Sequence, residues 1–273
     1  MAKKSIKNKI NSRKKIEGYF RRYLRIGPLG LALWRSVEAK HLGNTVLKRP
    51  ILDIGCGFGE FAIAYNEFIE MGIDNCSKDL YIASKTNLYK NLTLADARDL
   101  PFSDNSYASI FSISTLEHIE NPDKVLREAY RVLKPGGLLF LTLETDEVDD
   151  ATFYRPLFQR IGLKSLRDLT TDMYNDIFHR HTLLPKEDWR NKVEKAGFII
   201  KESRDIISPK VNKMFDILLI FAWPSQLFRP IVGKRVVFRP KFVEDFLVSK
   251  FLKYVTEDEK EGTNLLILAK KPL

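Results

Sequence analysis

A chain of 273 residues, 44% hydrophobic and 29% charged, is long and apolar enough to bury a full core as one large α/β domain or two small ones, which excludes a fibrous or wholly disordered protein. Its two cysteines, Cys56 and Cys76, form no CxxC pair, which argues against a disulfide framework or a zinc site and for a reducing, cytoplasmic setting. The net charge of +10 is uneven: residues 1–25 carry ten Lys/Arg against the single acid Glu17, and residues 208–256 carry nine basic residues against three acids.

The chain opens with "MAKKSIKNKINSRKK", basic but with no apolar stretch behind it, so it does not read as a secretory signal. Clustered positive charge of this kind suits a polyanion, either nucleic acid or an anionic membrane face, or else a solvated tail. "GYFRRYLRIGPLGLALWRSVEAKHL" then predicts one or two amphipathic helices broken at Gly27-Pro28. Residues 1–44 form a basic arm with these helices, and 45–273 a single catalytic-sized domain.

From residue 50 onward strand and helix signals alternate. "PILDIG" is a short buried run, followed by helical spacing in Phe61, Ala64, Tyr65 and Phe68. "EMGID", "LTLAD" and "YASIFSI" predict strands two to four, with a helix over "SKDLYIASKTN". In "NPDKVLREAYRVLKPGG", Asn121 is placed to cap and Pro122 to start a helix. Its apolar face is Val125, Leu126, Ala129, Val132 and Leu133, and Pro135-Gly136-Gly137 would end it. "LLFLTL" is the fifth strand, and "PKEDWRNKVEKAGF" a helix leading to "IIKESRDII" and "NLLILAKK". The expected fold is a Rossmann-like, doubly wound seven-stranded sheet, mostly parallel with the last strand antiparallel, with helices on both faces. Residues 145–184 and 208–258 exceed this alternation and read as insertions that carry specificity.

The informative motif is "ILDIGCGFG". Glycines after a first strand let the backbone turn tightly and approach a ligand at the carboxyl ends of the strands. A dinucleotide loop, G-x-G-x-x-G from Gly55, would need glycine at 60, where this chain has Glu60, a poor neighbour for pyrophosphate. The pattern present is D-x-G-x-G-x-G: Asp53, Gly55, Gly57 and Gly59.

Here the chain resembles the class I S-adenosylmethionine-dependent methyltransferases, above all the subgroup of ubiquinone/menaquinone and other small-molecule or lipid methyltransferases. "MGIDNCS" places Asp74 at the end of strand two, "ADARDLPFSDNSY" places Asp96 after strand three, and "LREAYRVLKPGGLLFL" matches the family's helix-turn-strand before strand five. The resemblance, over about 45–145, implies S-adenosylmethionine as cofactor and no metal. It implies Asp74 at the ribose hydroxyls and Asp96 at the adenine amino group (Asp99 lies nearby), with Asp53, Gly55, Cys56, Gly57, Gly59, Asn75, Ala97 and Ser114 at the same site. Cys56 reads as a packing residue rather than a nucleophile.

Methyl transfer from a sulfonium is an in-line displacement, governed by alignment, with a base needed only where the acceptor loses a proton. Strand four ends in "SISTLEHIENPD", without the [DN]PP[YFW] of base-amino methylation, and no cysteine stands near strands four and five. Glu117 and His118 are the candidate bases, with His179 and His181 behind them. The 208–258 stretch interleaves aromatic, branched and basic residues, and its longest apolar run, Ile217–Pro224, is too short to span a bilayer. It reads as an interfacial helix or a packed lid. These features suggest a peripheral enzyme on the inner face of an anionic membrane, methylating a small-molecule or lipid-like, prenylated acceptor. The rival readings are an RNA or protein methyltransferase that grips phosphates with the basic arm, and a non-catalytic scaffold that keeps the cofactor fold.

Overall fold

The computed structural model describes residues 2–65, 67–178, 181–227, 239–257 and 260–273. Seven strands form one sheet: β1 (Ile51–Ile54), β2 (Ile69–Asp74), β3 (Tyr89–Leu94), β4 (Tyr107–Ile113), β5 (Leu133–Glu144), β6 (Ile199–Ile206) and β7 (Asn264–Lys270). Their order is β3-β2-β1-β4-β5-β7-β6. β1 to β5 pair in parallel, and β7 runs antiparallel between β5 and β6. The expected doubly wound sheet with its reversed last strand is therefore present. The order turns back at β1 and β4, the switch point at which such sheets bind ligands.

The central strands read as unbroken apolar runs because both their faces are covered. Alternate side chains serve two cores. Ile51, Ile69, Phe111 and Phe140 pack in one with the N-terminal helices. Leu52, Ile110, Leu139, Leu141 and Ile267 pack in the other, against α5 (Pro122–Val132) and α9 (Lys186–Lys195).

Three local expectations need correction. Asn121 precedes α5 in the left-handed region (φ 63°) and its side chain makes no capping bond, so Pro122, with its preset φ, opens the helix. The helix stops at Val132, and Pro135-Gly136-Gly137 lie inside β5, where pairing with β4 shifts register between Tyr107 and Ser109. Leu133 accordingly starts the strand rather than closing the helical face. After β1, α3 (Glu60–Tyr65) ends before Phe68, which is exposed just ahead of β2. The helix between β2 and β3, α4, spans Ser77–Ser84.

α1 (Ala2–Ile26) and α2 (Leu29–Gly43) break at Gly27-Pro28 as expected. The second half of α1 is core, with Ile16, Tyr19, Phe20, Tyr23 and Leu24 buried. The 208–258 insertion forms α10 (Pro209–Leu227) and α11 (Lys241–Thr256). α10 lies so close to α2 that a Cβ on Gly30 would stand 3.0 Å from the Phe215 Cα, and the Trp34 and Phe215 rings are 5.2 Å apart. α11 lies on α1, where buried Glu244 takes ion pairs from Arg21 (3.0 Å) and Arg25 (2.9 Å), and Asp245 a further one from Arg21. The two basic segments are thus joined by acids of the second. The 145–184 insertion carries α6 (Glu147–Asp150), α7 (Tyr154–Arg160) and α8 (Lys164–Phe178). Its α7 is capped from α10: Asp216 accepts from the amides of Phe153 (2.6 Å) and Tyr154 (2.9 Å).

Candidate active site

The turn after β1 needs its glycines for stated reasons. Gly55, Gly57 and Gly59 all have positive φ (76°, 51° and 80°), which L side chains adopt only under strain. At Gly55 there is a second constraint: a Cβ would sit 2.2 Å from Thr115 Cγ2. The amides of Gly55 and Cys56 both donate to the Ile73 carbonyl, fixing the turn to the end of β2.

Asp74, last residue of β2, accepts from the Gly57 amide (2.8 Å) on one oxygen and the Cys76 amide (2.9 Å) on the other. Each oxygen retains a lone pair for a further donor. Asp53 is buried beneath the loop and accepts from the Tyr89 hydroxyl at 2.7 Å. Burial pushes its carboxyl up to about 7; the Tyr89 bond opposes this rise and the charge of Asp74 adds to it. Burial, with Asp53 and Asp74 close by, also drives the Cys56 thiol far above the ordinary range. That suits a packing residue and not a thiolate nucleophile.

A cleft of about 590 Å³ opens over the carboxyl ends of β1, β2 and β4 and the turn beyond β3. Of the sequence-derived candidates, Gly55, Asp74, Asn75, Asp96, Ala97, Ser114 and His118 line it together. Asp53, Cys56, Gly57, Gly59 and Asp99 are not among the residues that line it. Asp96 lies two residues past β3 and is held by its near neighbour: Arg98 Nη2 donates at 2.7 Å and Nε at 3.0 Å. This pair keeps the Asp96 carboxyl below its usual range. The loop carrying both is clamped by Arg131, which donates to the carbonyls of Leu100 (2.9 Å) and Phe102 (2.7 Å).

The turn of Leu116–His118 separates the two proposed bases. His118 lines the cleft, while Glu117 is fully buried away from it. One Glu117 oxygen accepts from the Glu144 amide at 3.1 Å, and the other meets no hydrogen-bond partner among the described residues. Burial first, then the Glu144 carboxylate, push its carboxyl up to about 8. Its carbonyl accepts from the amides of His181 (3.0 Å) and Thr182 (2.9 Å), bringing the far end of the first insertion to the cleft, so that His181 joins the lining. His179 lies outside the described residues. The sequence reading did not anticipate Arg98, Thr115, Ile119 and Glu120 in the lining. Only Thr115 left a trace, in the need for glycine at 55.

The lining suits a cationic nucleoside. Asp74, Asp96 and Glu120 supply acceptors, and among the described residues the one guanidinium in the lining, Arg98, is neutralised by Asp96. Glu60, where a dinucleotide loop would have glycine, is ion-paired to Arg35 at 2.8 Å. Among the described residues no group of His, Cys, Asp or Glu is arranged to hold a metal.

Comparison with known proteins agrees. Residues 52–141 match the model of the methyltransferase domain. The chain is 41% identical over 192 residues to the ubiquinone/menaquinone biosynthesis C-methyltransferase UbiE of Brucella suis, covering 61% of this chain and 68% of that protein. Among solved structures, a SAM-dependent methyltransferase of Thermotoga maritima superposes with a TM-score of 0.56 at 20% identity, covering 89% of this chain and 91% of the other. A phosphoethanolamine N-methyltransferase of Haemonchus contortus, bound to S-adenosylhomocysteine, superposes at 0.55 and 22% identity, over 96% of this chain and 58% of the other.

Proposed function

This chain belongs to the class I S-adenosylmethionine-dependent methyltransferases, in the ubiquinone/menaquinone-type group, and on that premise we propose that it methylates an apolar, ring-bearing small molecule or lipid-like acceptor of the quinone kind at an anionic membrane surface. The observation that carries the reading is that the second-strand aspartate, Asp74, and the His118 imidazole line one cleft.

When bound, the cofactor supplies a methyl group activated by its sulfonium. Asp74 would take the ribose hydroxyls on its remaining lone pairs, and the turn from Gly55 to Gly59 would receive the amino-acid end, with open space beside Gly57. Asp96, held by Arg98, faces the adenine side together with Ala97. Asn75 and Ser114 complete the walls. His118, rather than buried Glu117, accepts the proton that an oxygen or carbon acceptor must lose. His181 closes the acceptor side.

Membrane association has its own support. The inner faces of α10 and α11 are core, with Val211, Val248, Leu252 and Val255 buried, yet Phe242 and Phe246 are 74% and 58% exposed beside Lys241 and Lys250. An apolar face rimmed by lysine suits the headgroup boundary. No helix among the described residues is long and apolar enough to cross a membrane. Of the ten basic residues of the arm, Arg21 and Arg25 are paired with Glu244 and Asp245.

Two measurements test the proposal. Incubation with methyl-labelled cofactor and a membrane lipid extract should carry label into the organic phase; label in RNA or protein instead would overturn the acceptor class. Flotation with phosphatidylglycerol vesicles at low salt should recover the enzyme, and Phe242→Ser with Phe246→Ser should reduce recovery. Full recovery by the double variant would remove this face from the account.

A further inference from the structure

α2 precedes the sheet in sequence and contributes none of the residues that line the cleft, but it reaches the site from behind. Glu38 is completely buried. One of its oxygens accepts from Ser114 Oγ at 2.6 Å and from Thr142 Oγ1 at 3.0 Å, and the other from Arg35 Nη1 at 2.9 Å. Arg35 also pairs with Glu60, the first residue of the helix that follows the glycine turn.

Ser114 has φ 45°, a left-handed conformation that is costly for a non-glycine residue and persists only where its surroundings over-determine it. Here they do: its amide donates to both the carbonyl (2.9 Å) and the hydroxyl (3.1 Å) of Thr142, and its hydroxyl is held by Glu38. The next residue, Thr115, is the one that abuts Gly55. A buried carboxylate anchored by a cation one turn away on its own helix therefore holds the β4 end, while that same cation holds the start of α3.

We propose that Glu38 is a positioning residue of the cofactor cleft, setting the Ser114–Thr115 turn against the glycine loop and so coupling the N-terminal helices to cofactor affinity. The inference rests on the reading of this cleft as the S-adenosylmethionine site. Residues 45–273 hold the whole sheet and every lining residue, but without Glu38 the wall formed by Ser114 relaxes out of its strained conformation and the cleft loses its shape.

The test is calorimetry with S-adenosylhomocysteine on the full chain, at a temperature where circular dichroism shows each variant folded. Glu38→Ala should weaken binding at least tenfold. Glu38→Gln, which keeps one acceptor but sets an amide against Arg35, should fall between it and the wild type. Glu244→Gln, which loosens the same helical layer far from the cleft, should lower the melting temperature and leave affinity within twofold. Unchanged affinity in Glu38→Ala, or an equal loss in Glu244→Gln, overturns the proposal. Should Glu38→Ala fail to fold, Thr142→Val decides the matter, since it removes the shared hydroxyl from behind the wall; it is expected to weaken binding several-fold, and no change would overturn the idea. Asp74→Ala separates the two levels: if it binds like wild type, the cleft itself has been misread, whereas lost binding there with full binding in Glu38→Ala condemns the positioning role alone.

Discussion

The Tyr89 hydroxyl donates to the buried carboxylate of Asp53 across 2.7 Å, tying the start of β3 to β1 beneath the glycine loop. Burial nonetheless leaves Asp53 with its carboxyl raised from 3.8 to about 7. The folded chain therefore holds a proton that the unfolded chain releases above about 4. Stability from this group is full below that value and declines as pH rises through about 7. Asp53→Asn keeps an acceptor for Tyr89 and removes the titration. Thermal melts between pH 5 and 8 should show a shallower decline than wild type, with the variant a few degrees more stable at pH 8. Parallel curves would show that Asp53 does not titrate in this range.

Glu117 behaves alike at higher pH, since its carboxyl is raised to about 8 by burial and by Glu144. The unfolded chain ionises this group above about 4.5, while the folded chain keeps it largely neutral up to about 8. The stability it contributes is therefore full below about 4.5 and is lost as pH rises through about 8. Glu117→Gln should match wild type near pH 4 and exceed it at pH 7, and by more at pH 9. Glu117→Ala should melt several degrees below Glu117→Gln at each pH, because it empties a fully buried site. A glutamine variant that is strongly destabilised at pH 7 would mean the native side chain is charged there.

The same glutamine variant bears on chemistry. With Glu117 turned from the cleft and His118 lining it, Glu117→Gln should keep turnover within a few-fold. His118→Ala should lower it by roughly 10²–10⁴, the range for loss of a general base, and should move S-adenosylhomocysteine affinity by less than about threefold. The acidic limb of the pH–rate profile should vanish with the imidazole. Single-turnover assays with methyl-labelled cofactor read this directly; a His118→Ala enzyme with wild-type turnover at every pH would take the proton elsewhere.

Gly55→Ala places a Cβ 2.2 Å from Thr115 Cγ2 at φ 76°. The backbone conformation alone costs on the order of 1 kcal/mol, and the collision adds to it. S-adenosylhomocysteine affinity should fall at least tenfold. Adding Thr115→Gly should restore part of that loss by removing the collision but not the strain. If the second substitution restores nothing, close approach is not why glycine stands there.

The legible parts of the molecule were those written locally. Buried parallel strands announce themselves as apolar runs, and a turn that must carry three left-handed residues announces itself as glycines. Asp74 follows because it sits at the end of such a run. Tyr89 was not legible: its partner lies 36 residues away, and β3 begins three residues before its most apolar stretch. Glu38 was less so, being an acid in an amphipathic helix with its nearest sheet partner 76 residues on. Asn121 and Pro135-Gly136-Gly137 misled for a related reason. Residues that favour caps and helix ends also favour left-handed and irregular strand conformations, and tertiary pairing decided between these uses.

β7 runs against both its neighbours, so β6 points the same way as β5. The excursion between β6 and β7 therefore departs from and returns to the rim over which the cleft opens, and the excursion after β5 starts on that rim too. The excursion after β5 is held at its far end by the Glu117 carbonyl and the other by β7, so a change of length in either would reshape this rim first and leave the opposite ends of the strands as they are.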